Sequence, residues 1–140
     1  MWMYNDKEIH SHADLHPDCT DFVYVITFTD GRKYLGKKAV RSMRRLKPTK
    51  KQLAIRKNYV RKELKDLPFI KYEGSSELTE GLTVDKKEIL YQCSTRKAAT
   101  YLETALLFEH DAILVPEFVN ANIGGAYFDN DLKGLITEET

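Results

Sequence analysis

The sequence contains no long apolar run. No stretch of its 140 residues is apolar for the length that a bilayer-spanning helix needs, and residues 1–19 lack the apolar core of a signal peptide. Cysteine is scarce, and the two residues present, Cys19 and Cys93, form no recognisable pattern. Reduced thiols in a cytoplasmic protein are therefore the default expectation. With 42% hydrophobic residues, the chain has enough apolar content for the core of one domain.

The spacing of a structural zinc site is also missing. Residues 1–21 are polar with little periodicity, and they contain the possible ligands His10, His12, His16 and Cys19. Zinc takes such ligands, but structural zinc sites usually use closely spaced cysteine pairs, and this segment has none. The favoured interpretation of residues 1–21 is an ordinary N-terminal polar arm, with a metal site as the weaker alternative.

Acidic residues are almost absent from the middle of the chain. Residues 32–65 hold 15 of the 22 Lys and Arg residues but only one of the 21 acidic residues, Glu63. The formal net charge of +1 therefore conceals a strongly basic segment within an acidic remainder. A run of charge often marks only a solvated face, yet an excess of this size favours a surface that binds nucleic acid.

The sequence predicts a β-hairpin that begins before the basic segment and overlaps its first residues. Residues 22–28 mix β-branched with aromatic side chains, an Asp-Gly dipeptide favours a tight turn, and residues 32–35 return as the second strand. Tyr24 lies on the first of these strands and Tyr34 on the second. The short turn therefore brings two phenol hydroxyls close enough to converge.

The rest of the chain predicts two helices and a third strand. Residues 50–65 read as a basic helix with apolar positions among its lysines and arginines. Residues 87–93 predict the third strand, and a capped helix with an apolar stripe follows it to about His110. Residues 129–140 are acidic and predict a loose C-terminal tail.

Glu103 occupies a distinctive position on the last helix. Ala99, Leu106 and Leu107 lie one turn away from it, so its carboxylate borders the core-facing side of the helix. For an isolated glutamate, a structural ion pair with Lys or Arg is the simpler interpretation.

The order of these features resembles the GIY-YIG nuclease superfamily. Residues 22–24, Phe-Val-Tyr, stand where GIY would be, and residues 34–36, Tyr-Leu-Gly, stand where YIG would be. Residues 71–76, Lys-Tyr-Glu-Gly-Ser-Ser, follow a basic stretch in a way that resembles a phage-encoded, homing-endonuclease-like branch. The resemblance covers residues 22–125. It departs from the pattern in lacking the first glycine and the isoleucine, in carrying an inserted basic helix, and in having no histidine after the expected arginine.

The resemblance implies an α+β fold, with a three-stranded antiparallel sheet flanked by helices over residues 22–128. It implies a divalent-metal-dependent endonuclease that hydrolyses double-stranded DNA and uses no nucleotide cofactor. Glu103 would hold one cation, Mg²⁺ or alternatively Mn²⁺. Tyr24 would position or deprotonate the attacking water, which requires neighbouring cations to lower its pKa, and Tyr34 would hydrogen-bond the water or the phosphate.

Further roles follow from the same resemblance. Arg44 lies about where the superfamily carries an arginine on the helix that follows YIG. It would bind the scissile phosphate in bidentate fashion, with Arg41 and Arg45 as near alternatives in register. Lys37 would stabilise the same charge, and Asn120 would hold the sheet–helix junction or a phosphate oxygen. The side chains expected at the DNA surface are Lys33, Lys38, Arg41, Arg45, Lys50, Lys51, Arg56, Lys57, Lys71 and Ser75.

Three alternatives stay open at the level of sequence. Ser75 or Ser76 would cap a short helix as readily as bind a phosphate. The whole chain would also fit a catalytically silent nucleic-acid-binding module on the same scaffold. A protein-interaction module, in which the basic and acidic parts bind partners or each other, is the third possibility, and salt-sensitive DNA binding would separate it from the other two.

Overall fold

A computed structural model describes residues 1–57, 61–74, 76–128 and 131. The strands are β1 (Trp2–Tyr4), β2 (Lys7–Ile9), β3 (Asp21–Phe28), β4 (Lys33–Ala39), β5 (Arg41–Leu46), β6 (Arg61–Asp66), β7 (Val84–Cys93), β8 (Asn122–Ile123) and β9 (Tyr127–Phe128). The α-helices are α1 (Lys50–Ile55), α2 (Ser76–Thr79) and α3 (Arg96–Glu109). The predicted tail, apart from Asp131, and the predicted phosphate contact Ser75 lie outside the described residues.

The central sheet has five strands in the order β2-β1-β7-β3-β4. Strands β1 and β7 run parallel, and the other neighbouring pairs are antiparallel. The predicted α+β class is confirmed, but the expectation of three strands is wrong. Strand β7 also begins three residues earlier than predicted, at Val84.

The two additional strands come from the segment that we expected to be a polar arm. Trp2 on β1 is fully buried, its indole N–H donates to the carbonyl of Phe69 at 3.0 Å, and its ring packs against Phe22 and Tyr24. Each of these strands is only three residues long, which is too short for alternation to be visible in the sequence. Their place in the sheet depends on pairing with β7, which is more than 80 residues away along the chain.

Strands β3 and β4 form the predicted hairpin. Gly31 in the turn has a φ of +88°, which side chains other than glycine rarely adopt. Strand β4 continues to Ala39, whereas the sequence predicted an end at Leu35. The strand passes through Gly36 because that residue pairs directly with Tyr24.

Helix α3 packs on one face of the sheet, as its apolar stripe predicts. Thr95 caps its N-terminus by accepting a backbone N–H at 3.1 Å. Ala99 and Leu107 are buried in a cluster with Val23 and Leu35. Among the described residues, no helix is long and apolar enough to cross a membrane, and Cys19 and Cys93 are both free and buried.

The basic segment is not the long helix that we predicted. Helix α1 ends at Ile55, and the chain returns as β6, which pairs antiparallel with β5. We call residues 41–66 the basic arm. Its sequence mixes charged and apolar residues without a clear period. The cross-strand pairing that stabilises strands here involves residues distant along the chain, so the local sequence does not show it.

Candidate active site at the edge of the sheet

Tyr24 and Tyr34 are neighbours on one face of the hairpin. Tyr24 pairs with Gly36 across the strands, and Tyr34 lies two residues before Gly36, so both rings are on the same side. The ring centroids are 6.2 Å apart. A Cβ atom at position 36 would lie 2.6 Å from the Tyr24 hydroxyl oxygen. Glycine is therefore required where the Tyr24 ring crosses β4, which explains the last residue of the Tyr-Leu-Gly motif.

A third tyrosine, which the sequence reasoning did not assign to the site, completes the cluster. The Tyr24 hydroxyl donates to the hydroxyl of Tyr72 at 3.2 Å, and the two rings meet edge to face at 5.8 Å. Tyr72 lies in the Lys-Tyr-Glu-Gly-Ser-Ser motif. The motif marked this loop, but only the tertiary structure shows that the loop folds over the tyrosines.

The loop is fastened to the sheet by a buried lysine. Lys87 on β7 donates to the carbonyls of Ile70 at 2.8 Å and Tyr72 at 3.1 Å, and burial lowers the pKa of its ammonium group. Gly74, with a φ of +95°, packs close to the Tyr34 ring. The position of Tyr72 over the hairpin is therefore determined from both sides.

Glu103 brings a carboxylate from α3 to the same strand. Burial raises the pKa of its side chain, and the positive charge of Lys37 opposes that rise. Its charge in turn contributes to raising the pKa values of Tyr24 and Tyr34. Lys37 lies on the opposite face of β4 from these tyrosines and donates to Thr100, one turn before Glu103. The charge of Glu103 therefore interacts with groups on both faces of β4.

The simpler interpretation of Glu103, a structural ion pair, finds no support in the part of the chain that the structure describes. Within those ranges, no Lys, Arg or His forms a salt bridge with it. The carboxylate is half-buried, and its charge influences the hydroxyls of Tyr24 and Tyr34. A single carboxylate of this kind suits a cation that arrives with its own water ligands.

The expectation that cations lower the pKa of Tyr24 is wrong for this arrangement. Burial raises it well above the ordinary value, and the hydrogen bond to Tyr72 raises it further. Burial, with smaller contributions from Tyr72 and Glu103, raises the pKa of Tyr34 to about 12. Both hydroxyls are therefore protonated near neutral pH, and they are suited to orient groups rather than to abstract a proton.

Asn120 binds the backbone of β4. Its side-chain oxygen accepts the Leu35 N–H at 3.1 Å, and its amide nitrogen donates to the Leu35 carbonyl at 2.7 Å. Lys33 exchanges backbone hydrogen bonds with Glu117 at 2.7 Å and Val119 at 2.8 Å. These contacts cover part of the outer edge of the sheet. Of the two predicted roles for Asn120, holding a structural junction is the one that its contacts match.

Arg41, predicted at the DNA surface, is a structural residue. Its guanidinium donates to backbone carbonyls of the N-terminal segment and binds Asp66 at 3.2 Å, and its side chain is only 10% exposed. The guanidinium thereby ties the base of the basic arm to residues 12–19. The sequence reasoning missed this role because the acceptors are distant carbonyls, which leave no signal in residue identity.

Arg44 lies on strand β5, not on the helix where the resemblance placed it. Its side chain is about half exposed and faces Glu63 on β6 at 3.9 Å. Arg45 is exposed on the same strand.

The remaining predicted DNA contacts divide into two groups. The first group has exposed side chains: Lys50, Lys51, Arg56, Lys57 and Lys71. The second group has partners at the hairpin. Lys33 binds Glu117 at 3.2 Å, and the Lys38 ammonium lies 4.6 Å from the Tyr72 ring centroid.

Of the N-terminal histidines, His12 serves the fold. His12 contacts the carbonyls of Val40 and Leu67 and packs edge to face on Phe69. In the ranges that the structure describes, no group of three or more His, Cys, Asp or Glu side chains is placed to hold a metal ion.

Comparison with known proteins gives one result at the level of families. Residues 2–123 match the family model described as "Putative endonuclease segE, GIY-YIG domain". Searches of curated proteins and of solved structures found no match. The matched range includes β1 and β2 as well as the hairpin and α3, so the family unit coincides with the five-stranded sheet and the helix packed on it. The chain therefore belongs to the SegE GIY-YIG endonuclease domain family, a phage-type branch of the GIY-YIG nuclease superfamily.

Proposed function

We propose that this protein is a divalent-metal-dependent endonuclease that hydrolyses phosphodiester bonds of double-stranded DNA. One observation carries the proposal. Tyr24 and Tyr34 lie together across Gly36, and the Glu103 carboxylate from α3 is close enough to influence both hydroxyls. In a member of this endonuclease family, that convergence supports a catalytic site at the β4 edge.

The residues present fit a magnesium or manganese ion. Mg²⁺ is usually bound by one or two carboxylates together with waters and substrate phosphates, rather than by a complete cage of protein ligands. Glu103 offers one such carboxylate, without a salt-bridge partner among the described side chains. When bound there, the cation would neutralise charge on the phosphoryl oxygens.

The protein's own groups would orient the reactants. Tyr34 is partly exposed, and its protonated hydroxyl would donate to the attacking water or to a phosphate oxygen. Tyr24 is too buried and its pKa too high for a general base, so we assign it a positioning role. Lys37 would add positive charge beside Glu103, and Arg44 would supply a planar guanidinium to the phosphate.

The basic arm would supply the surface for duplex DNA. Its exposed lysines and arginines include Arg45, Lys50 and Lys51, and almost no acidic residue accompanies them. Contacts of this kind bind phosphates independently of sequence and release counterions, so the binding depends strongly on salt.

The proposal is tested by incubating the protein with supercoiled plasmid and Mg²⁺ or Mn²⁺, with and without EDTA. We expect nicked or linear DNA only when the metal is free. DNA binding without nicking in either metal would favour the silent binding module instead. The absence of both nicking and salt-sensitive DNA binding would favour a protein-interaction module.

A further inference from the structure

The hydroxyl of Tyr24 is covered by the third tyrosine. Tyr24 is only 1% exposed, and its hydroxyl donates to the Tyr72 hydroxyl at 3.2 Å. A phenol has a single hydrogen to donate, so this bond uses the donor capacity of Tyr24. Tyr72 is only partly buried, and it therefore connects the buried hydroxyl to the surface of the site.

The position of Tyr72 is fixed by contacts to its backbone and to its ring. The buried ammonium of Lys87 donates to the Tyr72 carbonyl at 3.1 Å, and the ring stands at 85° to the Tyr24 ring. The ammonium of Lys38 lies 4.6 Å from the ring centroid, within the range of a cation–π contact. A buried cation that holds a loop in one place is costly, which argues that the geometry of this loop matters.

We propose that Tyr72 is a third tyrosine of the reaction, and the proposal rests on the nuclease function proposed above. Its hydroxyl accepts the hydrogen bond of Tyr24 and donates its own hydrogen to the attacking water or to an oxygen of the scissile phosphate. Because one side of the Tyr72 oxygen is occupied by the Tyr24 hydrogen, its own O–H must point elsewhere. Tyr24 is then a positioning residue, and Lys38 places positive charge over the ring whose hydroxyl meets the substrate.

Removal of single hydroxyls tests this arrangement. We would measure kcat and KM for plasmid nicking in Tyr72→Phe, in Tyr24→Phe and in the double variant, with Tyr101→Phe as the control. Tyr101 is 73% exposed on α3, so its hydroxyl is removed without consequence for the tyrosine cluster. We expect each single variant to lower kcat by at least about tenfold with little change in KM, because one transition-state donor is lost or misdirected. The double variant should be no slower than the slower single variant, because the two hydroxyls act as one unit.

Measuring kcat well below the melting temperature distinguishes a catalytic role of Tyr72 from a purely structural one. Tyr72→Phe leaves the buried Tyr24 hydroxyl without its acceptor, so the melting temperature should fall by several degrees. The loss of kcat should nevertheless persist at temperatures about 20 °C below that midpoint. Recovery of wild-type kcat under those conditions would show that Tyr72 only supports the fold, and would overturn the proposal.

The remaining outcomes are equally distinct. A faster Tyr72→Phe variant would identify the loop as a lid over Tyr24, and losses that multiply in the double variant would show that the two hydroxyls act independently. Either result refutes the proposal. If the wild-type protein nicks DNA and Tyr72→Phe matches the Tyr101→Phe control, this inference fails alone. If the wild-type protein does not nick DNA with either metal, the proposed function fails and this inference fails with it.

Discussion

At the scale of single residues, the candidate site depends on two residues that no other residue type can replace. Gly36 leaves the space that the Tyr24 ring occupies, and Glu103 provides the carboxylate that α3 brings to β4. The first is a steric requirement and the second is electrostatic. Each can be removed by a small substitution, and the two substitutions give different expected results.

Gly36→Ala should distort the site by steric overlap. The added Cβ would lie 2.6 Å from the Tyr24 hydroxyl oxygen and 2.9 Å from the adjoining ring carbon, both closer than such atoms approach in proteins. We expect a loss of about 1–3 kcal/mol in the free energy of unfolding, together with reduced nicking. Chemical denaturation measures the first effect. In a Tyr24→Phe background the penalty should shrink, because the closest atom is gone, and an unchanged penalty would place the strain elsewhere.

Glu103→Gln should remove cleavage while keeping the fold. We expect nicking to fall by at least about a thousandfold, equivalent to ~4 kcal/mol in the barrier, with duplex affinity unchanged or slightly improved. Glu109→Gln on the same helix is the matched control, since that side chain is exposed. Full nicking activity in Glu103→Gln would refute the role proposed for this carboxylate.

The same variant carries a pH signature that needs no DNA. Burial raises the folded-state pKa of Glu103 above its ordinary value of 4.5, so the charged form is penalised in the fold. The penalty is absent when the carboxyl is protonated and grows as pH rises from 4.5 through the raised pKa. Without metal, Glu103→Gln should therefore melt at a higher temperature than wild type at pH 8, and the difference should vanish towards pH 4. Added Mg²⁺ should raise the midpoint of the wild type only.

At the scale of elements, the basic arm is a two-stranded ribbon fastened at its base. Arg41 binds Asp66 and several carbonyls of residues 12–19, while the exposed cations lie further along the arm. Structural and exposed arginines are thus separated within one segment. The difference between them is set by which side chains find acceptors in the fold.

Neutralising the outer part of the arm should weaken DNA binding at every sequence. Replacing Lys50, Lys51, Arg56 and Lys57 by Ala should flatten the slope of log affinity against log salt by up to about 3–4, since each phosphate contact contributes about 0.9. Fluorescence anisotropy with several duplexes at a series of salt concentrations measures this slope. The control replaces the exposed Lys7, Lys86 and Lys97, which lie outside the arm. An unchanged slope in the arm variant would place the DNA surface elsewhere.

At the scale of the whole molecule, the N-terminal strands support the site from behind. The Trp2 ring packs on Tyr24 at a centroid distance of 5.3 Å, and its indole N–H holds the carbonyl of Phe69 at the start of the loop that carries Tyr72. The first residues of the chain are therefore connected to two of the three tyrosines.

Trp2→Ala should consequently affect stability and activity together. Loss of a fully buried indole costs about 3–5 kcal/mol, and the hydrogen bond to Phe69 is lost with it. Trp2→Phe is the control, because it keeps most of the apolar surface and should retain more of both. Urea denaturation and nicking measured on the same preparations test this. Unchanged stability in Trp2→Ala would contradict the buried position of β1.

The sequence by itself determined the parts of the protein that depend on short-range rules. The Asp-Gly turn and the β-rich residues beside it placed Tyr24 and Tyr34 on paired strands, and the apolar stripe with its cap placed Glu103 on a helix after the next strand. These signals arise from neighbours a few residues apart. The segregation of charge is equally a property of the sequence, and it survives any rearrangement of the elements that carry it.

Only the tertiary structure decided the rest. The strand at Trp2, the ribbon in place of a long basic helix, and the hydrogen bond between Tyr24 and Tyr72 all join residues that are distant along the chain. The buried guanidinium of Arg41 has the same origin, since its acceptors are backbone carbonyls. Pairing partners, burial and the pKa shifts that burial causes are set by the packing of distant segments, and local residue patterns do not encode them.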